Sequence, residues 1–265
     1  MKDELNFESL LAELGENTSS VVNGDFRFTE LKMSDQRKIM NMSFNPIEIP
    51  ARVAIIFNEY IKNSVSYNDD IADVSNSVTV DIKPFILTQL RILTLGDVYV
   101  DRQSKKVYKI KPIEAKDLTS SIEPSCVEFN NMIIRFCVPT IAKETAINNQ
   151  LLLELGKFKK NLTEEDYGKV SDIYQMYEIF KYITTIESNG KVFDFSNCPI
   201  NKKMKIVNNL PHKVVMSVND YIEKSREGSE EKIVAINSES NETIKLDVST
   251  IFFENTARVT KNDND

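Results

Sequence analysis

Cysteine is scarce. The 265 residues hold three, Cys126, Cys137 and Cys198, and none forms a CxxC pair. An odd, widely spaced set excludes a disulfide framework, and buried thiols acting as small hydrophobes are the expectation. Glycine is scarce too. The 7 glycines are all isolated, with neither GxxxxGK[ST] nor GxGxxG, which excludes the loops whose backbone amides cradle a nucleotide's phosphates. His212 is the sole histidine, so a two-histidine metal site and an HExxH motif are excluded within one chain. It follows Pro211 at an expected helix start, where a first-turn surface residue is the reading rather than a general base. No GxSxG elbow accompanies it. Tryptophan is absent, and with it the usual sugar-stacking residue of a glycosidase cleft.

Long apolar runs are missing as well. The most apolar segment, Phe85 to Leu95, is broken by Gln89 and Arg91, and nothing approaches the roughly 18 apolar residues of a membrane span. The opening Met1 to Phe7 is charged and has no signal-peptide core. A soluble protein of the cytosol, with no membrane partner, is therefore expected. A net charge of −7 argues against nucleic acid as a partner. The longest basic run, Lys202, Lys203 and Lys205, reads as a solvated helix face. Asp69, Asp70 and Asp73 lack the glycine and distal glutamate of a calcium loop and read as a solvated loop. No catalytic, cofactor or metal residue is assigned, and no cofactor is expected.

What is present is a pattern of helices and short strands. Phe7, Leu10, Leu11 and Leu14 share one helical face, with Leu5 beside them, and Asn17 to Gly24 follows as a polar linker. Residues 1–24 thus read as a flexible amphipathic arm whose Leu5, Phe7, Leu10, Leu11 and Leu14 would bind a partner. Residues 25–253 form the body, with a subdivision near 115–160 left open, and residues 254–265 form a disordered tail. Within the body, Phe26 and Phe28 mark a strand. Ser34 is placed to cap a helix through Met42, and Pro50 to open one through Ser64. A polar loop covers Asn68 to Ser77. Pro84 and Gly96 bracket a buried helix. Hairpins follow at 98–110 and around Asn130-Asn131, then a helix from Ile141 to Lys157. Thr163 to Asp166 forms a capping box for a long helix to Ser188 whose aromatic stripe packs inward. Pro199 and Pro211 open two more helices, the second ending at Gly228. A last hairpin covers residues 233–248, and Ile251 to Phe253 anchor its end. The expected fold is α+β: a predominantly helical single body with two or three short β-hairpins.

Three segments resemble the baseplate hub and hub-assembly proteins of T4-like tailed phages. Phe26 to Lys38 is similar to that family's opening strand and helix. Asp81 to Asp97 resembles its most recognisable stretch, an apolar helix with an arginine, a small turn and a Gly-Asp pair before a hairpin. Leu246 to Phe253 is similar to its closing hairpin and double-phenylalanine anchor. Some relatives carry cysteine pairs in such hairpins. Tyr99 to Tyr108 and Ala235 to Ile244 have none, so zinc is not carried over. The resemblance implies a non-enzymatic late protein of tail assembly, chaperone-like or structural, in the host cytoplasm or the virion tail. Its partners would be other tail and hub proteins, with self-association a second option. The alternative is a hydrolase or transferase with a dispersed active site.

Overall fold

The computed structural model describes residues 18–40, 45–72, 74–101, 104–120, 122–158, 162–230, 232–247 and 252. The fold is α+β, with three small antiparallel sheets among helices. The arm residues Leu5, Phe7, Leu10, Leu11 and Leu14, and the tail 254–265, lie outside the described residues.

The first sheet contains β1 (Ser20–Asn23), β2 (Phe26–Thr29) and β3 (Val65–Tyr67), in that order. Ser20 to Asn23, read as linker, is therefore a strand. Gly24 takes φ +59°, the left-handed conformation that closes a two-residue turn, and Val21 pairs with Phe28 across it. Helix α1 (Met33–Met40) begins one residue before Ser34, so Ser34 lies in its first turn instead of capping it. Helix α2 (Ile49–Ser64) carries its proline in the first turn, as the sequence implies. The predicted polar loop after it contains a single helical turn, α3 (Val74–Ser77), whose Val74 is fully buried.

Helix α4 (Lys83–Leu95) ends at Gly96, which takes φ +83°. It buries Phe85, Ile86, Leu87 and Leu90, and also Arg91, which has no exposed surface. The Arg91 guanidinium reaches forward past the end of its own helix, donating to the Gly96 carbonyl and, at 2.8 Å, to the Val98 carbonyl. The Gly96 carbonyl at the helix C-cap has no intrahelical partner, and the negative end of the helix dipole offsets the buried charge.

Strands β4 (Val98–Val100) and β5 (Val107–Ile110) form the predicted hairpin. A short 3₁₀ turn, Ala115–Leu118, follows. Then come β6 (Ser125–Phe129) and β7 (Met132–Phe136), turning at Asn130 with φ +53°. Helix α5 (Ile141–Leu155) is capped by the Thr140 hydroxyl. The expected capping box opens α6 (Glu164–Tyr182), with Thr163 and Asp166 exchanging hydrogen bonds. Its Val170, Tyr177 and Phe180 are buried, whereas Tyr167 is exposed.

The helix does not continue to Ser188. Residues 183–188 form β8 (Ile183–Ser188), which pairs with β7 and with β9 (Lys191–Asp194). The β-branched run Ile183-Thr184-Thr185-Ile186 favours extended backbone. Asn189 (φ +51°) and Gly190 (φ +71°) supply the left-handed pair of a tight hairpin. Helices α7 (Ile200–Asn208) and α8 (His212–Glu230) start after their prolines. Helix α8 runs through Gly228, because an interior glycine costs a helix only about 1 kcal/mol. Strands β10 (Val234–Asn237) and β11 (Thr243–Lys245) complete the second sheet, in the order β11-β10-β5-β4. Two hairpins far apart in the chain are thereby joined by pairing of β10 with β5. Among the described residues, no helix is long and apolar enough to cross a membrane.

The buried side chains form two cores. One gathers Phe28, Ile61, Ile86, Leu90, Ile110, Ala235 and Phe252. The other gathers Ile134, Leu151, Phe180, Ile183, Phe195 and Val218. Helices α2 and α5 belong to both. Ala51 of α2 lies in the second core, while Phe57, Tyr60 and Ile61 lie in the first. Ile141 of α5 lies in the first core, and Ile147 to Leu155 reach the second.

Candidate functional site

Two features stand out, an open sheet edge and a lysine-lined cleft beside it. The third sheet has the order β6-β7-β8-β9, so β9 is paired on one side only. All four of its residues are exposed, with Val192 at 67% and Phe193 at 42%. Phe193 pairs with Ile186, on the sheet face that carries Ile134.

Immediately after β9 the chain turns sharply. The Asp194 carboxylate accepts from the Asn197 backbone amide at 3.1 Å and from its side chain at 2.7 Å. These bonds, the side-chain one foremost, hold Asp194 below its ordinary range. Phe195 is driven fully into the second core, and Ser196 to Ile200 then form one wall of a cleft of about 520 Å³. The opposite wall is α5, through Lys143, Ile147 and Gln150.

Two ammonium groups meet on Ser196. Lys143, in the first turn of α5, donates to the Ser196 hydroxyl at 3.2 Å and to the Ile183 carbonyl at 3.1 Å. Lys203, in the first turns of α7, donates to the Ser196 carbonyl at 2.8 Å and sits 5.4 Å from the Phe195 ring centroid. Lys203 is only 4% exposed, so the basic run 202–205 is not a uniformly solvated face. The register explains this. Lys203 lies three residues after Ile200 and four before Val207, on the stripe that packs inward, while Lys202 and Lys205 face out. Among the described residues neither ammonium forms an ion pair; every partner is a neutral oxygen. Burial therefore lowers both lysines, with Lys143 brought down to about 8 and the Lys203 charge adding to the effect.

Elsewhere the structure settles the fate of other sequence candidates. His212 is exposed in the first turn of α8 and does not line the cleft. Asp69 and Asp70 are exposed; Asp69 pairs with Arg27 at 2.9 Å, and Asp73 lies outside the described residues. No cluster of three histidine, cysteine, aspartate or glutamate residues suited to a metal occurs among the described residues. The cysteines are free, but only Cys198 is buried; Cys126 is exposed and Cys137 half-buried.

No family model, no curated protein and no solved structure matches the chain.

Proposed function

We propose that the protein is a protein-binding component of phage tail assembly, either an assembly factor of the baseplate hub or a structural member of it. It acts in the host cytoplasm, or in the virion tail where it is retained. The observation that carries the binding reading is the open edge of β9. An unpaired strand presents a row of free amides and carbonyls to which a further strand can pair. Here Val192 and Phe193 stand exposed on it, which suits an extended segment of a hub partner added as a further strand.

The hub assignment is supported by the segments that carry the resemblance. Phe26 to Lys38 is a strand followed by a helix, and Asp81 to Asp97 is a helix ending in Gly-Asp before a hairpin. Residues 1–17 add a second contact through Leu5, Phe7, Leu10, Leu11 and Leu14. The test is co-expression with tail hub and tape-measure proteins followed by pull-down. A stable complex with a hub protein is expected, and failure to retain any tail protein overturns the reading.

A further inference from the structure

We infer that the cleft between α5 and the start of α7 is a binding site for a phosphate monoester, held by Lys143, Lys203 and the first amides of α7. The inference is independent of strand addition at β9.

The placement of the two lysines is costly for folding alone. Lys143 and Lys203 both sit in the opening turns of helices, where the dipole disfavours cations, and α7 has no acidic residue in its first turn. Lys203 is buried and Lys143 half-buried, and among the described residues neither has a carboxylate within ion-pair distance. A desolvated cation of this kind is further stabilised by an anion at hydrogen-bond distance. Asp194 favours both charges through space but forms no ion pair with either lysine, its carboxylate being hydrogen-bonded by Asn197.

Donors remain to receive such an anion. An ammonium has three N–H donors, so Lys203 keeps two and Lys143 keeps one beyond the bonds described. Pro199 precedes α7 and makes no capping bond to it, so the leading amides at Ile200 and Asn201 are left for a ligand. Gln150 and Asn197 add neutral donors at the rim. Converging cationic and amide donors suit a tetrahedral dianion with several acceptor oxygens. The volume exceeds that of phosphate alone, and Ile147, Pro199 and Ile200 offer an apolar wall for the organic part of the ester.

The test uses the full chain and inorganic phosphate as the probe, against chloride at equal ionic strength. Titration followed by ¹⁵N–¹H spectra should move the Ile200 and Asn201 amides saturably, and phosphate should raise Tm above the chloride control. Lys143→Gln and Lys203→Gln should each weaken binding by about tenfold, the loss of one charge-assisted hydrogen bond. Dispersed spectra of each variant establish that it is folded; should either unfold, Lys143→Arg or Lys203→Arg, which keeps the charge, takes its place and should retain binding. Unmoved Ile200 and Asn201 amides overturn the inference, and so does phosphate affinity undiminished in the double Gln variant. Addition of phenyl phosphate separates the ester from free phosphate: tighter binding than inorganic phosphate is expected, and weaker binding overturns the apolar wall's role.

Discussion

The Asn58 amide of α2 donates to the Glu144 carboxylate of α5 at 2.9 Å, at the crossing where both helices pass from one core to the other. The same amide reaches the Thr145 hydroxyl at 2.9 Å, and the Lys83 ammonium of α4 pairs with Glu144 from the other side. Burial opposes the Glu144 charge. The Lys83 and Lys181 ammoniums, with the bonds from Lys83 and Asn58, outweigh it and leave the carboxyl below its ordinary range.

Asn58→Ala removes a donor to a buried anion and is expected to cost about 2 kcal/mol in urea unfolding. Glu144→Gln leaves Lys83 without its counter-charge and is expected to cost about 3 kcal/mol. Because the folded Glu144 pKa is lowered, its stabilisation is complete above the ordinary carboxylate range and is lost as pH falls through the folded value. The wild type should therefore lose stability on acidification more steeply than Glu144→Gln. Parallel stability curves for the two would remove this account.

Lys143 gives a slope of the same sign in an alkaline window. Its folded pKa of about 8 lies below the usual 10.5, so between those values the unfolded chain binds the extra proton. Stability from this group consequently rises with pH across that window. The difference between wild type and Lys143→Met, measured by chemical denaturation, should change across it and be flat below pH 8. A constant difference through the window means that the ammonium is not desolvated in solution.

Strand addition at β9 is tested by Val192→Lys combined with Phe193→Ser. Both side chains are exposed, so the pair should shift stability by less than about 1 kcal/mol. Recovery of the hub partner in pull-down should fall severalfold. Deletion of residues 1–17 leaves β1 intact and is expected to weaken the same complex while preserving cooperative unfolding. A large loss of stability instead would make the arm part of the core.

Phe252 is 4% exposed and packs on Phe57 and Tyr60, with ring centroids 5.5 Å and 6.1 Å away. Phe252→Ala should cost about 3 kcal/mol or more, read from the urea midpoint at constant m-value. A cost below about 1 kcal/mol would show that the ring is dispensable to the first core.

The sequence was most legible where punctuation and periodicity agreed. Pro84 and Gly96 bracket α4, and Thr163 to Asp166 opens α6, because caps act locally. The end of α6 was hidden because Tyr182 to Ser188 continues an apolar pattern that also suits a strand. The signal that decides it, Asn189-Gly190, was present and lies just beyond. Pairing of β10 with β5 leaves no trace in either segment alone, since cross-strand partners more than a hundred residues apart share no local pattern. The cleft was illegible for a similar reason. Lys143 and Lys203 become neighbours only through Ser196, and a lysine on an inward stripe looks, residue by residue, like one on a solvated face.

The position of Phe252 also sets an order of events during synthesis. The second core draws on residues up to Ile222, whereas the first needs Ala235, Leu246 and finally Phe252 beside rings made at Phe57 and Tyr60. A growing chain can therefore consolidate the later-numbered core while the earlier-numbered one waits, reversing the usual N-terminal-first sequence. Released chains truncated before residue 235 should protect α6 and α8 from proteolysis while α4 stays open to it.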